Sequence, residues 1–332
     1  MRSGATLAGI AKNRKRQACT RRGCGLTKWL VYKETALQDL ILHLGAHRTA
    51  STYVQGVLGK NAGLLAENGI GMPAQEATRA ALTERLNPRL PTLPMAGGFD
   101  RLLSDTGVAD CQTIILSDEN MLGFLNEIFA HHKFYPNTRA RLKRLSRLLP
   151  VSPSKVMLGI RPYETFFPSA YSRWLSPGRP VLPREDIAGI VLGFQRGWDD
   201  LIQEIAGVFP EAELMISEYH SDASYGLDQL HQLLGPLAEQ LEFTTGYRWN
   251  RSMSGHQTHR YEQALLHGEH NGQDADTIRS LVRLGQAPLS EGFWADSVLH
   301  EVQSRYQQDL ERIFKQVPAF VMAPDANNQD AT

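Results

Sequence analysis

LILHLGAHRTASTYVQGVL, residues 40–58, reads in three parts. Leu40–Leu44 is an apolar run of strand length, too short for a core helix. Gly45–Ala50 is a loop of small and polar residues, and Ser51–Thr52 lead into a segment whose Val54, Val57 and Leu58 share one helical face. A strand, a small-residue loop, hydroxyls and a helix make the layout of an anion cradle. The first amides of a helix have no intrahelical partner, and the dipole places partial positive charge there. A phosphate or sulfate group at that end satisfies both. Arg48 adds a fixed cation, and Thr49, Ser51 and Thr52 add hydroxyl donors. The competing reading is an ordinary strand-to-helix turn with a surface arginine. The strict GxxxxGK[ST] form is absent, because Ala50 and Ser51 stand where its second Gly and its Lys would be.

Further strand–helix units follow. Thr113–Leu116 is a buried-strand run ending in Ser117–Asp118–Glu119–Asn120, with a helix expected over Met121–Ala130. Lys155–Ile160 is a third strand, stopped by Arg161–Pro162, and Pro suits the first turn of a helix running Tyr163–Trp174. Thr138–Leu149 reads as an amphipathic basic helix with Arg139, Arg141, Lys143, Arg144 and Arg147 mostly outward. One long helix is expected over Asp186–Val208, a strand at Glu213–Ser217, and helices at Leu227–Leu241 and Ser297–Phe314. Residues 74–110, with Pro88, Pro91, Pro94 and Gly97–Gly98, read as a helix and then an irregular excursion, either a lid or a surface loop. This alternation predicts an α/β fold with a mostly parallel central sheet and helices on both faces, over residues 37–320 as a single domain.

In such a sheet, residues just past a strand are placed for chemistry. From position alone Asp118 and Glu119 admit two readings: Mg²⁺ ligands of a nucleotide hydrolase, or simple capping of the next helix by Ser117 or Asp118. His256, His259, His267 and His270 share a face only if one helix holds through Gly268, and a polar helix face is the simpler reading.

Lys+Arg and Asp+Glu balance at 35 each, so no global field favours nucleic acid or a membrane surface. No apolar stretch approaches the roughly 20 residues needed to span a bilayer. Residues 1–36 are basic, with no acid before Glu34, and read as a disordered extension without a secretory h-region; residues 321–332 read as a disordered tail. Cys19, Cys24 and Cys111 are an odd, sparse set, which predicts reduced thiols and a cytoplasmic location.

Gly45–Ala46–His47–Arg48–Thr49–Ala50–Ser51–Thr52, followed by Gln55, resembles the 5′-phosphosulfate loop of bacterial-type sulfotransferases, G-x-H-K-T-G-T-T-x-x-Q. A second resemblance lies in RPYETFFPSAYSRW, where Arg161 at a strand end and Ser169 eight positions on match the pair that grips the 3′-phosphate of the donor. The resemblance implies a three-layer P-loop NTPase-like fold and 3′-phosphoadenosine 5′-phosphosulfate (PAPS) as donor, with no required metal. It implies that Gly45, Ala46, Arg48, Thr49, Ala50, Ser51 and Thr52 hold the phosphosulfate and that Arg161 and Ser169 hold the 3′-phosphate. Arg48 would stabilise the leaving group, and Glu119, or else His47, would take the proton of a small-molecule or saccharide acceptor. The segment Tyr247–Gly255 is similar to the family's N-x-S-x-S loop, which makes Arg248 and Arg251 candidates for the cofactor phosphate or an anionic acceptor, or else surface charges.

Two positions depart from the pattern. Arg48 replaces a lysine and cannot serve as a proton-transfer acid. Ala50 replaces a glycine and is tolerable only if that position keeps negative φ. The alternatives are a P-loop kinase or nucleotide hydrolase holding Mg²⁺ with Asp118 and Glu119, and a catalytically impaired PAPS- or nucleotide-binding protein.

Overall fold

β1 (Asp39–His43) lies in the interior of the sheet, which explains its unbroken apolar character: a parallel strand covered on both faces has no polar side to show. The computed structural model describes residues 37–91, 97–220, 225–243, 253–267, 277–278, 292–316 and 320–321. The basic extension, the tail beyond 321, Cys19, Cys24, Arg248, Arg251 and His270 lie outside the described residues.

The strands are β1, β2 (Ile70–Gly71), β3 (Thr113–Ser117), β4 (Lys155–Ile160), β5 (Glu213–Glu218) and β6 (Phe320–Val321), in the order β2-β3-β1-β4-β5-β6. Every pairing is parallel, with Leu42 beside Leu116 on one flank and beside Val156 on the other. The helices are α1 (Ser51–Lys60), α2 (Ala62–Glu67), α3 (Gln75–Ala81), α4 (Gly98–Asp105), α5 (Asn126–His131), α6 (Thr138–Leu148), α7 (Tyr163–Trp174), α8 (Arg184–Leu192), α9 (Trp198–Val208), α10 (Tyr225–Leu234), α11 (Gly255–Leu266) and α12 (Asp296–Gln316).

The pleat divides the core in two. Ile41, Ile115 and Met157 point to the side covered by Val54, Val57 and Leu58 of α1 and Leu230 and Leu233 of α10. Leu40, Leu42, Ile114, Leu116, Val156 and Leu158 point to the larger cluster on the other side. Helices therefore cover both faces, as the strand–helix alternation predicted. From β1 the chain passes to one flank for β2 and β3 and then crosses to the other for β4. The segments after β1, β3 and β4 consequently leave the same end of adjacent strands, and a crevice at such a reversal is where open α/β sheets bind ligands.

Three expected helices break. Met121–Ala130 is a 3₁₀ turn at Glu119–Met121 followed by the short α5, because Gly123 takes φ 151° and Glu127 accepts from the Phe124 amide. Asp186–Val208 divides into α8 and α9 around Gly193–Gly197. There the Gly197 amide donates to Asp200 and the Trp198 amide donates to Asp309 of α12. Leu227–Leu241 stops at Gly235, φ 58°, where α10 gives way to a 3₁₀ turn. Arg141, expected mostly outward on α6, is buried and donates to the carbonyls of Asn120 and Met121.

Candidate functional site

The loop after β1 holds left-handed backbone at Arg48 and Ala50. A Cβ on Gly45 (φ 33°) would lie 2.9 Å from Ser51 Cβ and 3.2 Å from His43 Nε2, so only glycine fits this close approach of the loop to α1. Arg48 and Ala50 sit at φ 67° and 60°. The condition that Ala50 keep negative φ is therefore not met, and the left-handed backbone at such a residue costs about 1–2 kcal/mol. All four left-handed non-glycine residues among those described lie in two loops, Arg48 and Ala50 in one, His132 and Tyr135 in the other. The loops meet where His47 Nδ1 lies 2.8 Å from Tyr135 Oη. Strain of this kind persists where surrounding structure holds it, and it gathers at binding sites.

α1 starts with no side-chain cap and no acid in its first turn, so its N-terminal dipole is not neutralised by the protein there. Of the expected hydroxyl donors, Thr49 turns away: it is fully buried, donates to the Ala46 carbonyl at 2.6 Å and rests against Gly159 of β4. Its hydroxyl proton is used within the loop in this structure. Ser51 is buried at the foot of α1.

Arg161 and Ser169 come to this loop from the far side of β1. Arg161 Nη1 donates to the Arg48 carbonyl at 2.8 Å, and Arg48 Nε donates to Ser169 Oγ at 2.7 Å. α7 places Arg161 at its entrance and Ser169 just past its midpoint. Pro168 inside that helix has no N–H for the Glu164 carbonyl, which accepts instead from Trp294 Nε1 at 3.0 Å. Arg161 is 1% exposed, bonded also to Thr165 Oγ1, and packed over the Tyr219 ring at 4.3 Å. Nη2 has no partner, and no carboxylate lies within ion-pair distance among the described residues. Burial pulls its pKa down to about 10, so it remains a cation at neutral pH.

At the end of β3 the arrangement is different. Asp118 is fully buried and caps the 3₁₀ turn through the Asn120 amide, as the capping reading expected. Arg79 of α3 donates from Nε to Asp118 Oδ1 and from Nη2 to Glu119 Oε1, both at 3.0 Å. Gln75 of α3 and Gln55 of α1 donate to Glu119 Oε2 at 3.0 and 3.4 Å. Burial pushes the Glu119 carboxyl up, but neighbouring charge and these donors outweigh it and hold the group below its usual range. Burial raises Asp118, with the Glu119 charge adding to it.

His47 is poorly suited to be a base. Burial lowers its pKa. With the Asn120 amide turned so that its oxygen accepts from Arg79, the amide nitrogen donates to His47 Nε2 at 3.1 Å, and Nδ1 is engaged by Tyr135. Both ring nitrogens are thus committed.

The structure brings Gly45, Ala46, Arg48, Arg161 and Ser169 together, with Glu119 linked to α1 through Gln55. Arg248 and Arg251 fall outside the described residues. Sequence reading missed Arg79, Gln75, Asn120 and Tyr135. Only the four-residue spacing of Gln75 and Arg79 hinted that two of them share a helix face. The histidine row does not form: α11 ends at Leu266, and His259 instead lies 3.5 Å from Glu262. Among the described residues no cluster of three or more His, Cys, Asp or Glu is arranged to hold a metal, and no helix is long and apolar enough to cross a membrane. Comparison with family models, with curated proteins and with solved structures gives no match.

Proposed function

We propose that this chain is a sulfotransferase, moving the sulfuryl group of PAPS to a hydroxyl acceptor such as a saccharide, on a three-layer P-loop NTPase-like fold. Arg161 is the observation that carries the reading. A buried cation with no ion-pair partner among the described residues is costly, and an anion from outside is the direct way to balance it. Arg161 stands next to the loop whose helix end also favours an anion, bonded to that loop's own backbone at a sequence separation of 113. One ligand with negative groups at two positions would suit both, and PAPS is such a ligand.

PAPS would supply an activated sulfuryl group on a phosphate leaving group. The amides at the start of α1 and the Arg48 guanidinium would hold the charge that develops on that phosphate. Arg161, with Ser169, would hold the second phosphate in the planar grip for which arginine is suited. Glu119, ionised and close to the loop, would accept the proton of the acceptor hydroxyl. Positioning supplies the rest. The kinase or hydrolase reading is weaker, because Asp118 and Glu119 already share one cation, Arg79, and the loop has no lysine.

The test is incubation with sulfur-labelled PAPS and a panel of hydroxylated acceptors in the presence of a chelator. The reading expects label on an acceptor without Mg²⁺. Mg²⁺-dependent loss of the γ-phosphate of ATP, with no labelled acceptor, would replace it by the kinase or hydrolase reading.

A further inference from the structure

Among the described residues, Arg79 is the cation in ion-pair contact with Glu119. The titratable and charged groups around it come from four directions: His43 of β1, His47 of the loop, its neighbour Asp118, and Arg79 of α3, with the Tyr135 hydroxyl behind His47. Both histidines are buried with lowered pKa and are neutral at pH 7. The Tyr135 phenol stays protonated, since burial raises it. Of the two groups whose charge lowers Glu119, His47 and Arg79, Arg79 is the permanent cation.

Its geometry is that of a bridge. Gln75 and Arg79, one turn apart on α3, both reach Glu119, while the second edge of the Arg79 guanidinium is fixed on the fully buried Asp118. A guanidinium can do this because its donors form a rigid planar fork; an ammonium offers a single point charge. Asp118 thus anchors the arginine, and the arginine fixes its neighbour.

We propose that Arg79 is the positioning residue of the Glu119 carboxylate: anchored on Asp118, it keeps Glu119 charged and sets the pH below which the site stops accepting protons. The role of that carboxylate as a base rests on the sulfotransferase reading; the bridge itself does not. α3 becomes part of the site through this contact, carrying two residues that reach one carboxylate at the end of the adjoining strand.

The experiment is a carbon-13 NMR titration of the glutamate side-chain carboxyls, with Glu119 assigned by its loss in Glu119→Gln. It is run on the wild-type chain, Arg79→Gln and Arg79→Lys, each checked for folding by thermal melting. Removing the cation is expected to raise the Glu119 midpoint by about one pH unit or more, and Arg79→Lys by less. Should Arg79→Gln fail to fold, the lysine variant decides by its smaller upward shift. An identical Glu119 midpoint in the wild type and the folded variants overturns the proposal. No donor is needed for this titration. A shifted midpoint in a chain that transfers no label from PAPS would therefore keep the bridge and remove the sulfotransferase reading. Where transfer is seen, the acid limb of its pH profile moves upward by the same interval, which a purely structural ion pair would not produce.

Discussion

The ends of β3 and β4 flank the same loop and treat charge in opposite ways. At β3, two carboxylates face one arginine and a set of amide donors, with Asp118 Oδ2 left without a hydrogen-bond partner. At β4, a buried arginine faces carbonyl, hydroxyl and aromatic groups, with no carboxylate within ion-pair distance among the described residues. Carboxylates bonded to a cation of the protein speak for groups being held; a buried cation without an ion-pair partner speaks for a group arriving. The first arrangement suits a residue that handles protons, the second a residue that binds an anion.

The largest effect expected belongs to the strand between them. His43 is fully buried, its Nδ1 lies 2.7 Å from Ser117 Oγ, and burial lowers its pKa to about 4. The unfolded chain takes up this proton near pH 6.5 and the folded chain does not, so stability falls as pH drops from 6.5 towards 4, by about 3 kcal/mol in all. Denaturant titrations across that interval should show the slope, and His43→Gln should flatten it. An unchanged slope would mean that charge can enter between the two regions, and the contrast would blur.

The next effect probes the contrast itself. Arg79→Met leaves Asp118 buried without its counter-charge and should destabilise the fold by about 2 kcal/mol, less than a fully buried pair because Arg79 is itself a third exposed. Arg161→Met removes no partner from a carboxylate. It should cost about 1 kcal/mol or less, since the desolvation relieved offsets the hydrogen bonds lost. Urea midpoints of the two variants give the order, and a reversed order breaks the comparison.

The smallest effect sharpens it. Ala50→Gly relieves a left-handed alanine and should stabilise the chain by about 1 kcal/mol, read from the same midpoints.

What could be read from sequence followed how local the causes were. β1, β3 and β4 were legible because strands covered on both faces must be apolar throughout, and α7 because Pro162 marks its start. The α8–α9 break was hidden because an acceptor for the first amide of α9 is Asp309, 111 positions away. Arg141 looked like one more solvent-facing cation until the turn at Glu119–Met121 offered it carbonyls. Arg48, Arg161 and Ser169, which sit at strand ends or in a spaced motif, could be singled out from sequence, and they do meet. Arg79 and Gln75 were missed because their partner lies on another element and no local pattern announces it. The turn of the Thr49 hydroxyl onto the Ala46 carbonyl was not legible, since sequence does not say which way a loop hydroxyl turns.

The most direct measurement is a calorimetric titration of 3′,5′-bisphosphoadenosine into the wild-type chain and Arg161→Met, with ATP as the comparison ligand. The account predicts that the bisphosphate binds the wild type more tightly than ATP does, and that Arg161→Met weakens it by about 2–4 kcal/mol. Equal bisphosphate affinity in both proteins, or a wild-type preference for ATP, would contradict it.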